Sequence, residues 1–124
     1  MKLLVAGSRS IPNDNLDRQQ LWHIFDNLSY SFDIPFSSII EGEAPGVDRE
    51  ARAWAEFKGY EVESYPANWE GLGKRAGFVR NKTMVNECDR AIIVWDGFSL
   101  GTDHTIRMLE DSLKPFVLAV RPFG

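Results

Sequence analysis

The stretch Ala91-Ile92-Ile93-Val94-Trp95-Asp96-Gly97-Phe98-Ser99-Leu100-Gly101-Thr102 decides the fold. Its unbroken run of apolar residues marks a strand buried on both faces, as in a parallel sheet covered by helices. A loop with two glycines follows. Thr102 then opens a segment with Ile106, Leu109 and Leu113 at helical spacing, which predicts a helix over 102–113. Strand, glycine loop and helix N-terminus in that order aim backbone N–H groups at one point, which suits an anion. The stretch therefore predicts the floor of a nucleotide or phosphosugar site.

Working outward, residues 2–6, 37–40, 60–65 and 116–120 are further strand-sized runs, with the central strand at 89–95. Residues 60–65 alternate in polarity, as an edge strand with one wet face does. Between the strands the apolar spacing becomes helical. Leu21, Ile24, Phe25 and Leu28 give a first helix, capped by Asn13 or Asp14. Val47, Ala51, Trp54 and Ala55 give a second, ended by Gly59. A third, over 74–87, carries Ala76, Val79, Thr83 and Met84 as its inner stripe, with 66–73 as the loop before it. Alternating strands and helices form right-handed βαβ units. The expected fold is α/β: a Rossmann-like three-layer sandwich with a five-stranded parallel sheet in the order 3-2-1-4-5, one domain over residues 1–124. In such a sheet the ligand sits beyond the carboxyl ends of the strands, at the switch between the first and fourth.

The 124 residues are 44% hydrophobic, enough for a core, and no apolar run approaches the roughly 20 residues of a membrane span. The N-terminus lacks a signal-peptide pattern. A single Cys88 excludes an internal disulfide and fits a reducing cytoplasm, where it reads as a small buried hydrophobe. His23 and His104 lie far apart, so neither a metal site nor a cofactor is expected. The net charge of −4 argues against nucleic acid as a partner.

Every strand-to-helix loop falls on one rim. The first brings Gly7, Ser8 and Arg9, and the second Gly42, Ala44, Gly46 and Asp48. The third brings Asn68 and Trp69, followed by Arg80 and Asn81. The fourth brings Asp96, Gly97, Ser99, Gly101 and Thr102. Glycines let a backbone approach a ligand and arginines grip phosphate in a fork. Trp69 or Trp95 could stack on a base. Lys74, Arg75 and Lys82 read as a solvated face, whereas Arg80, beside an apolar stripe, needs a partner. Asp48 also suits a first helical turn. Residues 71–77 resemble a dinucleotide fingerprint but are one residue too long, with no strand immediately before them.

Taken together, these loops resemble the SLOG superfamily, in its small bacterial and phage branch related to YspA and YpsA. The matching pieces are Gly7-Ser8-Arg9, Gly42-Glu43-Ala44-Pro45-Gly46-Val47-Asp48, Ala67-Asn68-Trp69, Ala76-Gly77 with Arg80-Asn81 and Met84, and Trp95 through Thr102. The resemblance implies a domain that binds nucleotides or nucleotide-derived ligands, often as a homodimer. Distant relatives, the Lonely-guy phosphoribohydrolases, cleave a base from a nucleoside monophosphate with an arginine and a glutamate. Arg80 and Met84 match the arginine motif, with Asn81 in place of lysine. After Gly101-Thr102, however, stands Asp103-His104-Thr105 with no glutamate. Pro45 replaces a basic residue, and Glu41 and Glu43 make the second loop acidic.

The expected function is binding of a nucleotide or an NAD- or ADP-ribose-like molecule, as a sensor or a sequestering protein. The alternative is a nucleotide N-glycosidase, with Arg80 holding phosphate and Asp96 or Asp103 stabilising the oxocarbenium-like transition state.

Overall fold

The structure is a computed structural model and describes residues 1–12, 15–33 and 35–120. Asn13 and Asp14, the expected helix caps, lie outside the described residues. The strands are β1 (Lys2–Gly7), β2 (Ser38–Glu41), β3 (Glu61–Ser64), β4 (Arg90–Trp95) and β5 (Phe116–Val120). They pair in parallel in the order β3-β2-β1-β4-β5, as expected. The helices are α1 (Asn15–Ser31), α2 (Val47–Lys58), α3 (Trp69–Leu72), α4 (Ala76–Glu87) and α5 (Leu100–Asp111), with a 3₁₀ turn at Gly73–Arg75 between α3 and α4.

Strand alternation sorts the core into two layers. Leu3, Val5, Ile39, Ile92 and Val94 face α1 and α2, where they meet Leu21, Phe25, Ala51 and Trp54. Leu4, Ala6, Ile40, Ala91 and Ile93 face α4 and α5, where they meet Met84, Val85, Ile106 and Leu109. Residues 91–94 are fully buried, which explains why that run lacks polar alternation. Phe25 and Phe36 are also buried, and Trp22 and Phe32 pack against the first layer, so the aromatics around the first helix serve the core. No helix among the described residues is long and apolar enough to cross a membrane.

Three helix boundaries or faces differ from expectation. α5 begins at Leu100 and ends at Asp111, two residues early at each end, with Ser99 at its N-cap. Leu113 therefore lies beyond the helix at φ 57 and is 90% exposed. Residues 66–73 hold a helical turn, because the Asn68 side chain accepts the Gly71 N–H (3.0 Å) and caps α3. The inner face of α4 is Ala76, Asn81, Met84 and Val85, while Val79 and Thr83 are exposed. A polar Asn81 is turned inward because its Oδ1 accepts from Arg80 Nε (2.8 Å), a partner that hydropathy does not register.

Lys114 closes the far end of α4. Its Nζ donates to the carbonyls of Val85 (2.6 Å), Asn86 (2.9 Å) and Cys88 (2.7 Å). A cation there satisfies carbonyls left over at a helix C-terminus and complements its dipole. Lys114→Met is expected to cost about 1–2 kcal/mol in urea unfolding. An unchanged midpoint would show the cap contributes nothing.

Candidate functional site

The rim is built from the end of β1 outward. A Cβ on Gly7 would stand 2.0 Å from the Val94 carbonyl oxygen and 2.9 Å from Val47 Cγ2, so β1 can lie this close to β4 and α2 only as glycine. Ser8 follows, buried. Its N–H donates to Val94 O (3.0 Å), and its hydroxyl accepts the Asp96 N–H (2.9 Å). Gly46, at φ 86, brings the second loop against the first: its Cβ would fall 2.5 Å from Ser8 O, and Val47 N–H donates to that oxygen (3.3 Å).

Asp96 organises the fourth loop. Its carboxylate accepts from the N–H groups of Phe98 and Ser99 (2.8 Å each) and from the hydroxyls of Ser10 (2.9 Å) and Ser99. Burial opposes its ionisation, but these N–H and O–H donors prevail and hold its pKa well below the usual carboxylate range. The tied loop presents the start of α5. Asp103 N–H closes the first turn onto Ser99 O (3.1 Å), leaving the N–H groups before it without helical partners.

In front of this floor lies a cavity of about 400 Å³. Of the expected ligand-binding residues, Gly7, Arg9, Asp48, Trp69, Arg80, Asn81, Ser99, Gly101 and Thr102 line it. Ser8, Gly42, Gly46, Asp96 and Gly97 do not; the first four shape its walls from behind. Sequence reasoning passed over Lys74 and Phe78, which also line it. Lys74 reads as a solvated face at the start of the third helix, but it lies in the 3₁₀ turn Gly73–Arg75 before α4, which sets it at the cavity. Trp69 is 51% exposed at the mouth, with its ring over Gly77. Trp95 instead donates from Nε1 to Ser99 O (3.1 Å) and packs against the second core layer.

Arg80 and Asp48 meet at the second loop. Arg80 Nη1 donates to the Gly42 carbonyl and Nε to Asn81 Oδ1, which leaves Nη2 on the side of Gly77, a cavity residue. A Cβ on Gly42 would lie 2.7 Å from Arg80 Nη1 and 2.8 Å from Asp48 Oδ2, so the two charges converge on one point. Fully buried Glu41 stands behind them and does not line the cavity. Its carboxylate accepts from the Ser64 hydroxyl and the Glu43 N–H. Asp103 also lies off the cavity, paired with Arg107 (3.1 Å) on α5.

Burial pushes the Asp48 carboxyl up to about 7; Arg80 opposes the rise, Glu41 adds to it, and the backbone of Ala44 and Gly7 opposes it. Between about pH 4 and 7 the folded chain keeps a proton on Asp48 that the unfolded chain has released, so this group's contribution to stability falls as pH rises through that window. Asp48→Asn is expected to flatten the decline of the urea midpoint between pH 5 and 7.5. An unchanged slope would place the titration elsewhere. Cys88, buried and pushed up to about 11 by burial, stays a thiol, in keeping with a packing role.

A parallel sheet with its cavity at the β1/β4 switch and a free helix N-terminus in the wall is a Rossmann-like ligand-site architecture. Within that class, the chain belongs to the YspA, cpYpsA-related SLOG family (YAcAr), whose model matches residues 1–71. It is 32% identical to the Gene 61 protein of Mycobacterium phage D29 over 124 residues, covering 94% of each chain. Two solved structures share the fold. DNA processing protein A from Helicobacter pylori superposes with a TM-score of 0.68 at 18% identity, over 100% of this chain and 67% of that one. The Streptococcus pneumoniae protein gives 0.56 at 14%, over 95% of this chain and 58% of that one. The H. pylori protein has a single-stranded DNA binding mode. This corrects the expectation, drawn from net charge, that argued against nucleic acid as a partner. Net charge describes the whole surface, whereas a cationic rim acts locally.

Proposed function

We propose that this chain binds a nucleotide or a nucleotide-derived molecule of the NAD or ADP-ribose kind at the strand-end cavity, as a sensor or sequestering protein. The observation that carries the reading is charge placement. In a chain of net charge −4, Arg9, Lys74 and Arg80 gather on one cavity whose wall includes the first turn of α5. Cations and helical N–H groups together suit phosphate. Half-exposed Trp69 and Phe78 beside them offer faces for a base.

Binding without turnover is the better-supported form. Cleavage of an N-glycosidic bond needs a carboxylate near the developing oxocarbenium ion. Asp96 is consumed by its own loop and Asp103 by Arg107. An N-glycosidase reading would therefore have to run through Asp48. Differential scanning fluorimetry against mono-, di- and cyclic nucleotides, NAD and ADP-ribose tests the proposal, with free base assayed after incubation. A shift without base release is the expected result. No shift with any of them would overturn the reading.

A second reading has the site hold a nucleotide within single-stranded DNA. The fold shared with DNA processing protein A favours it. An oligo-dT titration separates the two, because strand binding weakens steeply with salt across many phosphates and mononucleotide binding does so far less.

A further inference from the structure

We propose that Asp48 reads the sugar: its carboxylate accepts hydrogen bonds from the 2′- and 3′-hydroxyls of the bound nucleotide and makes the site selective for ribonucleotides over 2′-deoxyribonucleotides. The inference rests on the nucleotide reading above and narrows it to one substrate class.

Asp48 is the one carboxylate among the described residues that lines the cavity, and it is 4% exposed. A buried acid in a site built for phosphate repels the ligand unless it faces a part that donates hydrogen bonds. Ribose hydroxyls are that part of a nucleotide, and a carboxylate on a ribose diol is a recurring arrangement in dinucleotide sites. The position agrees. Asp48 sits where the first and second loops meet, beside the backbone of Gly7 and Ala44. The first turn of α5, with Gly101 and Thr102, stands across β1 from it, after β4. The N–H groups of that turn thus offer phosphate a place apart from Asp48, while Arg80, beside Asp48, borders both parts of the ligand.

The lone pairs also balance. An ionised carboxylate offers about four acceptor positions. Asp48 meets the backbone of Ala44 and Gly7 and makes no ion pair with Arg80, whose Nη1 and Nε are occupied by Gly42 O and Asn81. These contacts do not use up its acceptor positions, and a vicinal diol needs two.

The test compares, by titration calorimetry on the intact chain, four ribonucleoside 5′-diphosphates with their 2′-deoxy counterparts. The ribo form of the best-bound pair is expected to bind about tenfold or more tightly, the worth of a hydrogen bond to a charged acceptor. Asp48→Ala is expected to bring that ratio within about twofold, with the ribo form losing more affinity than the deoxy form, which keeps only its 3′-hydroxyl for Asp48 to lose. Measurable but equal binding of both sugars by the unaltered chain would overturn the role of Asp48 and leave the nucleotide reading standing. That comparison does not depend on the variant folding. A ratio that survives in a folded Asp48→Ala chain would also overturn it. If neither sugar binds, or if oligo-dT alone binds, the nucleotide reading fails and takes this inference with it.

Discussion

Replacing Gly7 with alanine is expected to lower the thermal midpoint by on the order of 10 °C or more and to remove ligand binding with it. The added methyl would fall 2.0 Å from the Val94 carbonyl oxygen, a backbone atom of the neighbouring strand. A flexible side chain could swing aside, but a strand held in register on both sides cannot. Relief requires β1 to part from β4 at its end, where Ser8 N–H meets Val94 O. Val47, 2.9 Å from the same methyl, blocks retreat toward α2. The cost is about 3 kcal/mol, at the upper end of overpacking effects, since the methyl points at the Val94 backbone and Val47 rather than into the cavity that Gly7 lines. Scanning calorimetry with a nucleotide titration checks it. A midpoint within 2–3 °C of the parent, roughly a cost below 1 kcal/mol, would mean the strands part easily.

Arg80→Met carries the other large effect, on binding and on folding at once. Nη2 is the guanidinium corner left for a ligand, because Gly42 O and Asn81 Oδ1 hold the other two nitrogens. Its loss should weaken nucleotide binding by about a hundredfold, the worth of a charge-assisted phosphate contact in a partly desolvated site. Arg80 also supplies positive charge beside buried Asp48 and Glu41. Without it, a carbonyl, an amide oxygen and two carboxylates lose compensation, and unfolding free energy should fall by about 2–3 kcal/mol at pH 8. Part of that loss should return at pH 6, where Asp48 takes up a proton more readily than with Arg80 in place. Lysine at this position keeps the charge without the fork and should recover stability more than affinity. Urea unfolding at both pH values and fluorimetric titration decide it. Equal losses at pH 6 and 8 would uncouple Arg80 from Asp48.

The sheet order, the buried faces of α1 and α2 and the rim were legible in the sequence because each rests on periodicity and on one topological rule. Residues 91–94, a short, mostly β-branched apolar run ended by a glycine loop, read as a strand buried on both faces, and the switch point follows from the order. What escaped was decided by particular partners. Asp96 reads as a ligand contact, because an acid in a glycine loop at a strand end accepts hydrogen bonds from whatever lies nearby. Here that is its own loop, and the signal was the serine three residues on, where an acid commonly closes a turn. The stripe of α4 was misplaced by Val79 and Thr83, because burial of Asn81 depends on Arg80 rather than on hydropathy. Lys74 reads as an exposed first-turn residue because Gly71 and Gly73 suggest loop over 66–73, where Asn68 instead caps a helical turn that leads into the 3₁₀ turn carrying it. Asp103 matched its relatives only by nearness in sequence. Four residues past Ser99, it faces along α5 toward Arg107.

The Ser8 hydroxyl, held between the Asp96 N–H and Ser99 Oγ, has a consequence for the speed and thermodynamics of capture. It ties the ends of two adjacent strands before any ligand arrives, so the floor is preorganised. The entropy lost on association then falls on long side chains at the mouth, Arg9 and Lys74 above all, at about 0.5–1.5 kcal/mol for each one immobilised. Encounter should need no slow rearrangement of the backbone, and residence time should be set by how readily those two cations let go.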